Sequence, residues 1–191
     1  MATYVILMVT TSVMWLGLEV WLSIRDHIRG QGKPTLDRGT KYTNFAATGG
    51  ALVAASIVNG FEVFWFPGGR TPTVFWIGLG LMWLGLLLRV WAIVVLGDLF
   101  RTTVELDKNH PVVRKGPYRW IRHPSYSGIL LACVGYGLAL QNWLSLALVV
   151  LCPTAAFLYR IRVEEAALIA GIGAEYEDYR RSTRLLIPGI W

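Results

Sequence analysis

The chain has 191 residues, of which 54% are hydrophobic and only 16% are charged, and its formal net charge is +6. Soluble domains have about 25% charged residues, so this composition excludes an ordinary soluble protein and predicts a membrane protein. The positive charge does not indicate nucleic-acid binding, because the basic residues lie between apolar runs rather than along one soluble face. We therefore expect no nucleic acid as a partner. The two cysteines form no CxxC pair, so we expect no metal either.

Long apolar runs follow one another along the chain. A bilayer core of about 30 Å requires roughly 20 apolar residues of helix, and residues 4–24, 45–66 and 74–96 satisfy this length. The run 126–159 is too long for one span, and Gln141, Asn142 and Trp143 interrupt it. We interpret it as two short helices in a tight hairpin. The fold class is therefore all-α, an integral membrane protein with five transmembrane helices.

The basic residues support that count of spans. Most of the 18 lysines and arginines lie between residues 25 and 41, between 101 and 122, and after residue 159, which are alternate connecting segments. Lysine and arginine collect on cytoplasmic loops. We therefore predict a multi-pass protein with its N-terminus outside and with the polar loops and the C-terminus in the cytoplasm.

The two halves of the chain differ in organisation. Residues 1–96 form a membrane region with three transmembrane helices, and residues 97–191 hold a polar loop, the helical hairpin and a polar tail. The tail begins with a helical pattern that Gly171 and Gly173 interrupt, and a second amphipathic helix follows from Glu175 to Arg181. Any chemistry must come from the cytoplasmic segment 97–126 together with this tail.

A basic and aromatic stretch, "PYRWIRHPSY", stands immediately before the fourth helix. Pro124 suits the first turn of a helix, because proline lacks the N–H that is unpaired there. The free amides of such a turn attract carboxylate or phosphate, and His123 could add a donor. The alternative is a basic interfacial turn that only ends a loop.

The tail sequence "RIRVEE" offers complementary charges. Arg160 and Glu164 are four residues apart, so they share one face of a helix and could either pair with each other or bind separate groups. An ordinary surface salt bridge is the alternative. Combined with an anion-binding helix start, the two residues could hold a zwitterion.

The segments "GPYRWIRHPSYSG", "RIRVEEAAL" and "GAEYEDY", in this order, resemble the isoprenylcysteine carboxyl methyltransferase family and its wider group, which includes phospholipid N-methyltransferases. The shared signature is RHPxY, a hydrophobic stretch and a Glu-Glu pair, and the resemblance covers residues 97–191. It implies a methyltransferase that uses S-adenosylmethionine and acts on a lipid-like or prenylated small-molecule or peptide acceptor. Membrane lipids are further expected partners.

The resemblance also implies roles for particular residues. Arg160 matches the position that meets the acceptor carboxylate and is the expected catalytic and substrate-binding residue. Glu164 would bind the ammonium of the donor, the helix start its carboxylate, and "HPVV" its adenosine, whereas Glu165 would be structural. The implied cofactor-binding residues are Thr103, His110, Pro111, Val112, Val113, Tyr118, His123, Pro124, Ser125, Tyr126 and Glu164.

Several alternatives remain at this point. A carboxylate acceptor is already ionised and needs no general base, but an amine or thiol would have to lose a proton, and His123 or Tyr126 could relay it. The acceptor could therefore be a phospholipid or a small thiol. Membrane sterol reductases, which use NADPH, have a similar RHPxY stretch and a similar "IPGIW" ending, but the Glu-Glu pair argues against them. A membrane scaffold would explain the apolar runs but not the paired motifs.

Overall fold

The computed structural model describes residues 2–29, 39–61, 64–68, 70–100 and 112–189. This part of the chain is helical and contains no strand, only two isolated bridges, Trp65 with Asn142 and Ile121 with Arg184. The helices are α1 (Ala2–Arg29), α2 (Thr40–Val58), α3 (Pro72–Leu96), α4 (Pro124–Leu140), α5 (Trp143–Ile172) and α6 (Ala174–Ser182). Short 3₁₀ turns cover Gly97–Leu99 and Gly116–Arg119.

Three of these helices are long and apolar enough to cross a membrane: Thr3–Ile28, Pro72–Leu99 and Trp143–Ile172. Helix α4 is apolar but shorter, with 17 residues. The run 45–66 differs most from its prediction, because α2 starts five residues earlier and ends at Val58. The backbone N–H of Asn59 closes the helix on Ala55, and the chain then turns through Gly60.

Local signals explain where the other helices begin and end. Helix α3 starts at Pro72, and the side chain of Thr71 accepts a hydrogen bond from the Val74 amide, an ordinary N-cap. Helix α5 starts after Asn142, whose side chain accepts from the Ser145 amide at 3.0 Å. With 30 residues it is not the short helix that was predicted, because it continues past Gly171 to Ile172, and Gly173, which has a φ of 74°, follows its end. Helix α6 follows directly, as the sequence predicted for residues 175–181.

The turn between α4 and α5 is fixed by Gln141, which has a left-handed φ of 56°. Its side-chain oxygen accepts from the Thr71 amide at 2.6 Å, and its side-chain nitrogen donates to the Thr71 carbonyl at 3.0 Å. A strained backbone at a non-glycine residue is tolerated where the surroundings hold it in place. These two bonds join the turn to the start of α3.

Four glycines bring the backbones of α3 and α4 into contact. Gly78 and Gly85 on α3 face Gly135 and Gly128 on α4, and a Cβ on any of them would collide with the backbone of the other helix. Small residues at such positions are typical of membrane helices, which associate by close packing rather than by burial from water. The α3–α4 pair is the most extensive helix contact, and α2 and α4 both pack against α5.

Candidate functional site

A cavity of about 580 Å³ lies between the membrane helices and the polar segments that follow them. Helices α1 and α2 contribute the apolar residues Trp15, Leu16, Phe45 and Leu52 to its wall. The opposite wall contains the start of α4 and the polar part of α5. Eight residues predicted for the site line this one cavity: Val112, Val113, Tyr118, His123, Ser125, Tyr126, Arg160 and Glu164.

Helix α4 starts at Pro124, as predicted, but its first turn has fewer free amides than expected, because the Tyr126 and Ser127 amides both donate to the His123 carbonyl at 3.1 Å. Pro124 is the first helical residue, His123 precedes it, and no side chain caps the turn. The turn is held from outside by the tail, because the Arg122 amide donates to the Arg184 carbonyl at 2.8 Å and the His123 amide donates to the Leu185 carbonyl at 3.2 Å. The position of this helix start therefore depends on a backbone segment about 60 residues further along the chain.

Tyr126 connects the two charged residues of α5. Arg160 Nε donates to the Tyr126 hydroxyl at 2.7 Å, and that hydroxyl donates to Glu164 Oε2 at 2.8 Å. The Tyr126 ring stacks against His123 on one side and Phe157 on the other, with centroids 5.6 and 5.0 Å away. The prediction that Arg160 and Glu164 share one face is confirmed, and a tyrosine of α4 links them.

Arg160 is anchored to α2 as well. It is buried, and its Nη1 donates to the Thr40 hydroxyl at 2.9 Å. Its guanidinium therefore has a defined orientation where α2, α4 and α5 meet beside the cavity. A guanidinium held in this way can bind an anionic group with fixed geometry.

Glu165 points to a different set of partners from its neighbour Glu164. Its carboxylate accepts from Arg122 Nε at 2.7 Å, and it lies 3.4 Å from His123 Nε2 and 3.3 Å from Arg180 Nε. It thus joins the start of α4, α5 and α6. These contacts agree with the structural role expected for Glu165.

Replacing Glu165 with alanine should loosen the tail from the start of α4. The substitution leaves the guanidinium of Arg122, which is buried apart from 11% of its side chain, without its carboxylate, and breaking such a buried pair costs about 3 kcal/mol. We expect faster limited proteolysis within residues 174–186, measured by mass spectrometry of the fragments. Glu175→Ala, an exposed change in the first turn of α6, is the control. Equal cleavage rates in the two variants would contradict this role.

Tyr118 adds a buried hydroxyl to the cavity wall. Burial, together with the nearby negative charge of Glu164, raises the pKa of Tyr118 well above its usual value, and burial raises the pKa of Tyr179 to about 12. The Tyr179 hydroxyl donates to the Tyr118 carbonyl at 2.7 Å. Both phenols therefore remain protonated near neutral pH, and Tyr118 can donate a hydrogen bond into the cavity.

The other predicted site residues fall into two groups. Thr103, His110 and Pro111 lie outside the described residues, and Pro124 is buried in the first turn of α4 without lining the cavity.

Conversely, the cavity contains polar residues that the sequence did not assign to it. Among them are Glu19, Asn44, Arg89, Arg122, Tyr176 and Tyr179. A charge inside an apolar run was the available signal for Glu19 and Arg89.

Comparison with known proteins identifies the relatives of this chain. The sequence profile described as "Isoprenylcysteine carboxyl methyltransferase (ICMT) family" matches residues 76–170. A protein-S-isoprenylcysteine O-methyltransferase of Dictyostelium discoideum is 33% identical over 142 residues, which is 73% of this chain and 60% of the relative. A protein of Oryza sativa subsp. indica, named as a probable protein-S-isoprenylcysteine O-methyltransferase, is 31% identical over 141 residues, 73% of this chain and 70% of the relative.

A solved structure supports the same relationship at the level of the fold. The structure of a eukaryotic intramembrane Ras methyltransferase, isoprenylcysteine carboxyl methyltransferase, matches with a TM-score of 0.66 and 33% identity, over 73% of this chain and 51% of that chain. This chain spans roughly half to three fifths of the length of the first curated relatives. With its apolar helices, the shared fold makes it a multi-pass membrane protein. The chain belongs to the isoprenylcysteine carboxyl methyltransferase family.

Proposed function

We propose that this protein transfers a methyl group from S-adenosylmethionine to a lipophilic acceptor, the carboxylate of an isoprenylcysteine-like molecule. One observation carries the proposal: a single cavity brings the residues expected for the donor together with Arg160 and with an apolar wall from α1 and α2. The relatives that are named as protein-S-isoprenylcysteine O-methyltransferases support the reaction and the acceptor class.

The residues of the cavity fit the chemistry of the donor. At the start of α4 the amide and the hydroxyl of Ser125 suit a carboxylate, and Glu164 suits an ammonium. Val112 and Val113 offer apolar surface to an adenosine, and Tyr118 offers a hydroxyl donor. When bound, S-adenosylmethionine supplies a methyl group activated by its sulfonium sulfur. Thr103, His110 and Pro111 stay in the proposal as further contacts, and Pro124 contributes by starting the helix.

The residues of the chain would act by binding and orientation. A carboxylate acceptor is ionised at neutral pH, so the site needs no general base for it. Arg160, fixed by Tyr126 and Thr40, would bind one oxygen of the carboxylate and align it. The apolar wall would exclude water from the reacting groups. No metal ion has a part in this scheme.

The membrane arrangement follows from the same proposal. All five helices α1 to α5 would span the bilayer, α4 and α5 as a hairpin, with the N-terminus outside and with the loop before α4 and the tail in the cytoplasm. The alternate distribution of basic residues supports this orientation. A lipid-like acceptor would then reach the cavity from the bilayer, and the donor from the cytoplasm.

Two ligands separate the main alternatives. We expect the purified protein in detergent to bind S-adenosylhomocysteine and not NADPH in calorimetry, because the Glu-Glu pair favours a methyltransferase. Binding of NADPH alone would favour a reductase, and binding of neither would favour a scaffold. Incubation with labelled methyl donor and with prenylcysteine, phospholipid and thiol acceptors then identifies the acceptor, and transfer only to a phospholipid or a thiol would overturn the carboxylate assignment.

Arg160→Ala should lower the turnover of the carboxylate acceptor about 100-fold, because orientation and charge stabilisation of this kind are worth about that much. The affinity for S-adenosylhomocysteine should change no more than about threefold. Steady-state kinetics with labelled methyl donor, together with calorimetry, measure the two quantities. Arg162→Ala, an exposed change on the same helix, should retain activity. A variant of Arg160 with normal turnover would remove this residue from the reaction.

A further inference from the structure

A buried arginine lies within the most apolar helix of the protein. Arg89 of α3 is 4% exposed. A charge at such a position in a membrane helix is costly unless it has partners, and it commonly marks a functional element. The comparisons and the family resemblance give this residue no role.

Arg89 has one partner on each of two other helices. Its Nη2 donates to Glu19 Oε2 of α1 at 2.6 Å, and its Nη1 donates to the Ser125 hydroxyl of α4 at 2.6 Å. Trp15 Nε1 donates to the other oxygen of Glu19 at 3.2 Å. We call these residues the Glu19–Arg89–Ser125 network. This network extends from the wall of the cavity to the first turn of α4.

The close packing of α3 and α4 makes this reach possible. A Cβ on Gly128 would lie 2.8 Å from the Arg89 backbone nitrogen, so the two helix backbones are in contact at the level of Arg89. Ser125 stands one turn before Gly128, on the same face of α4. The guanidinium therefore meets a side chain whose position is fixed by backbone contact.

The direction of the hydrogen bond determines what the serine can do. A guanidinium can only donate, so the Ser125 oxygen is the acceptor of the bond from Arg89. Within the described residues, no bond in which the Ser125 hydroxyl donates is found. Its hydrogen is thus available to a ligand in the cavity, which Ser125 lines, and the adjacent positive charge makes it a stronger donor.

Arg89 is not fully satisfied by these partners. Its Nε is buried and has no hydrogen-bond partner among the described residues. An unpaired buried donor is unfavourable, so stability alone does not account for an arginine at this position. A role in orienting Ser125 does account for it, because one terminal nitrogen of Arg89 is bound to Ser125 and the other to Glu19.

We infer that Arg89 is a positioning residue for donor binding: held by Glu19, it orients the Ser125 hydroxyl so that this hydroxyl donates to the carboxylate of the methyl donor. The inference rests on the proposed function, since it concerns the same cavity. It adds α1 and α3 to the elements that determine donor affinity. No proton is transferred and no covalent bond changes in this role.

The test compares four forms of the full chain in detergent: unmodified, Ser125→Ala, Arg89→Lys and the double variant. Calorimetry with S-adenosylhomocysteine should give about tenfold weaker binding for each single variant, the effect of one charge-assisted hydrogen bond. The double variant should also be about tenfold weaker, because both changes remove the same bond. The KM for S-adenosylmethionine should rise about tenfold, with kcat at saturating donor changed less than threefold.

A third single variant keeps the test decisive if Arg89→Lys does not fold. Glu19→Gln alters no atom of the α4 turn, yet it should weaken S-adenosylhomocysteine binding about threefold by loosening Arg89. The positioning role would be overturned if Ser125→Ala or Glu19→Gln bound S-adenosylhomocysteine with unchanged affinity. It would also be overturned if the double variant bound about 100-fold more weakly, because the two changes would then act independently. If the unmodified protein binds no S-adenosylhomocysteine, the proposed function fails, and the positioning role fails with it.

Discussion

Gly78→Ala should destabilise the protein by about 2 kcal/mol or more. The added Cβ would lie 2.5 Å from the Ala139 nitrogen and 2.6 Å from the Gly135 oxygen, both backbone atoms of α4. Neither atom belongs to a flexible side chain, so the helices must separate and lose contact along their length. For a chain of this size the midpoint of thermal unfolding in detergent should fall by roughly 4–8 °C.

The same helix provides a matched control. A Cβ on Gly80 meets no atom within 4 Å, and alanine favours a helix over glycine by about 1 kcal/mol. Gly80→Ala should therefore leave the midpoint unchanged or raise it slightly. Equal midpoints for the two variants would show that the backbone contact between α3 and α4 does not limit stability.

Glu164→Gln should weaken the binding of S-adenosylhomocysteine about 30-fold. Glutamine retains an oxygen that can accept from Tyr126, as Glu164 Oε2 does at 2.8 Å, so the link to Arg160 can persist. The negative charge is lost, and hydrogen bonds to charged groups are worth about 1.5–3 kcal/mol. The measurement is calorimetric titration of the detergent-purified protein.

The control for this prediction is Glu175→Gln on α6, which is exposed and loses the same charge. It should bind S-adenosylhomocysteine with unchanged affinity. If Glu164→Gln also binds within twofold of the unmodified protein, Glu164 does not hold the ammonium of the donor. The binding residue must then be sought among the other polar residues that line the cavity.

Much of the fold could be predicted because membrane helices have strong local signals. The length of the apolar runs, Pro124 at a helix start and the interruption at Gln141 predicted helices in the correct order. The end of α2 was missed because the apolar run continues beyond Asn59, where the backbone already turns. Hydrophobicity reports the environment of a segment and not its backbone conformation.

The motifs of the candidate site could be predicted, but most contacts between distant residues could not. The separation of Arg160 and Glu164 by four residues indicated a shared helix face, and the structure confirms it. The bond from Arg89 to Glu19 joins residues 70 positions apart, and the link through Tyr126 crosses from α4 to α5. Such contacts depend on which helices pack together, and no local pattern contains that information.

The parallel bridge between Ile121 and Arg184 has a consequence for the order of assembly during synthesis. Membrane helices enter the bilayer in the order of the chain, so α4 is inserted before the residues that hold its first turn exist. The bonds to Arg184, Leu185 and Leu186 form only after translation has passed these positions. The start of α4 thus acquires its final set of hydrogen bonds only after residues 184–186 have been synthesised, although α4 itself precedes them by more than 40 residues.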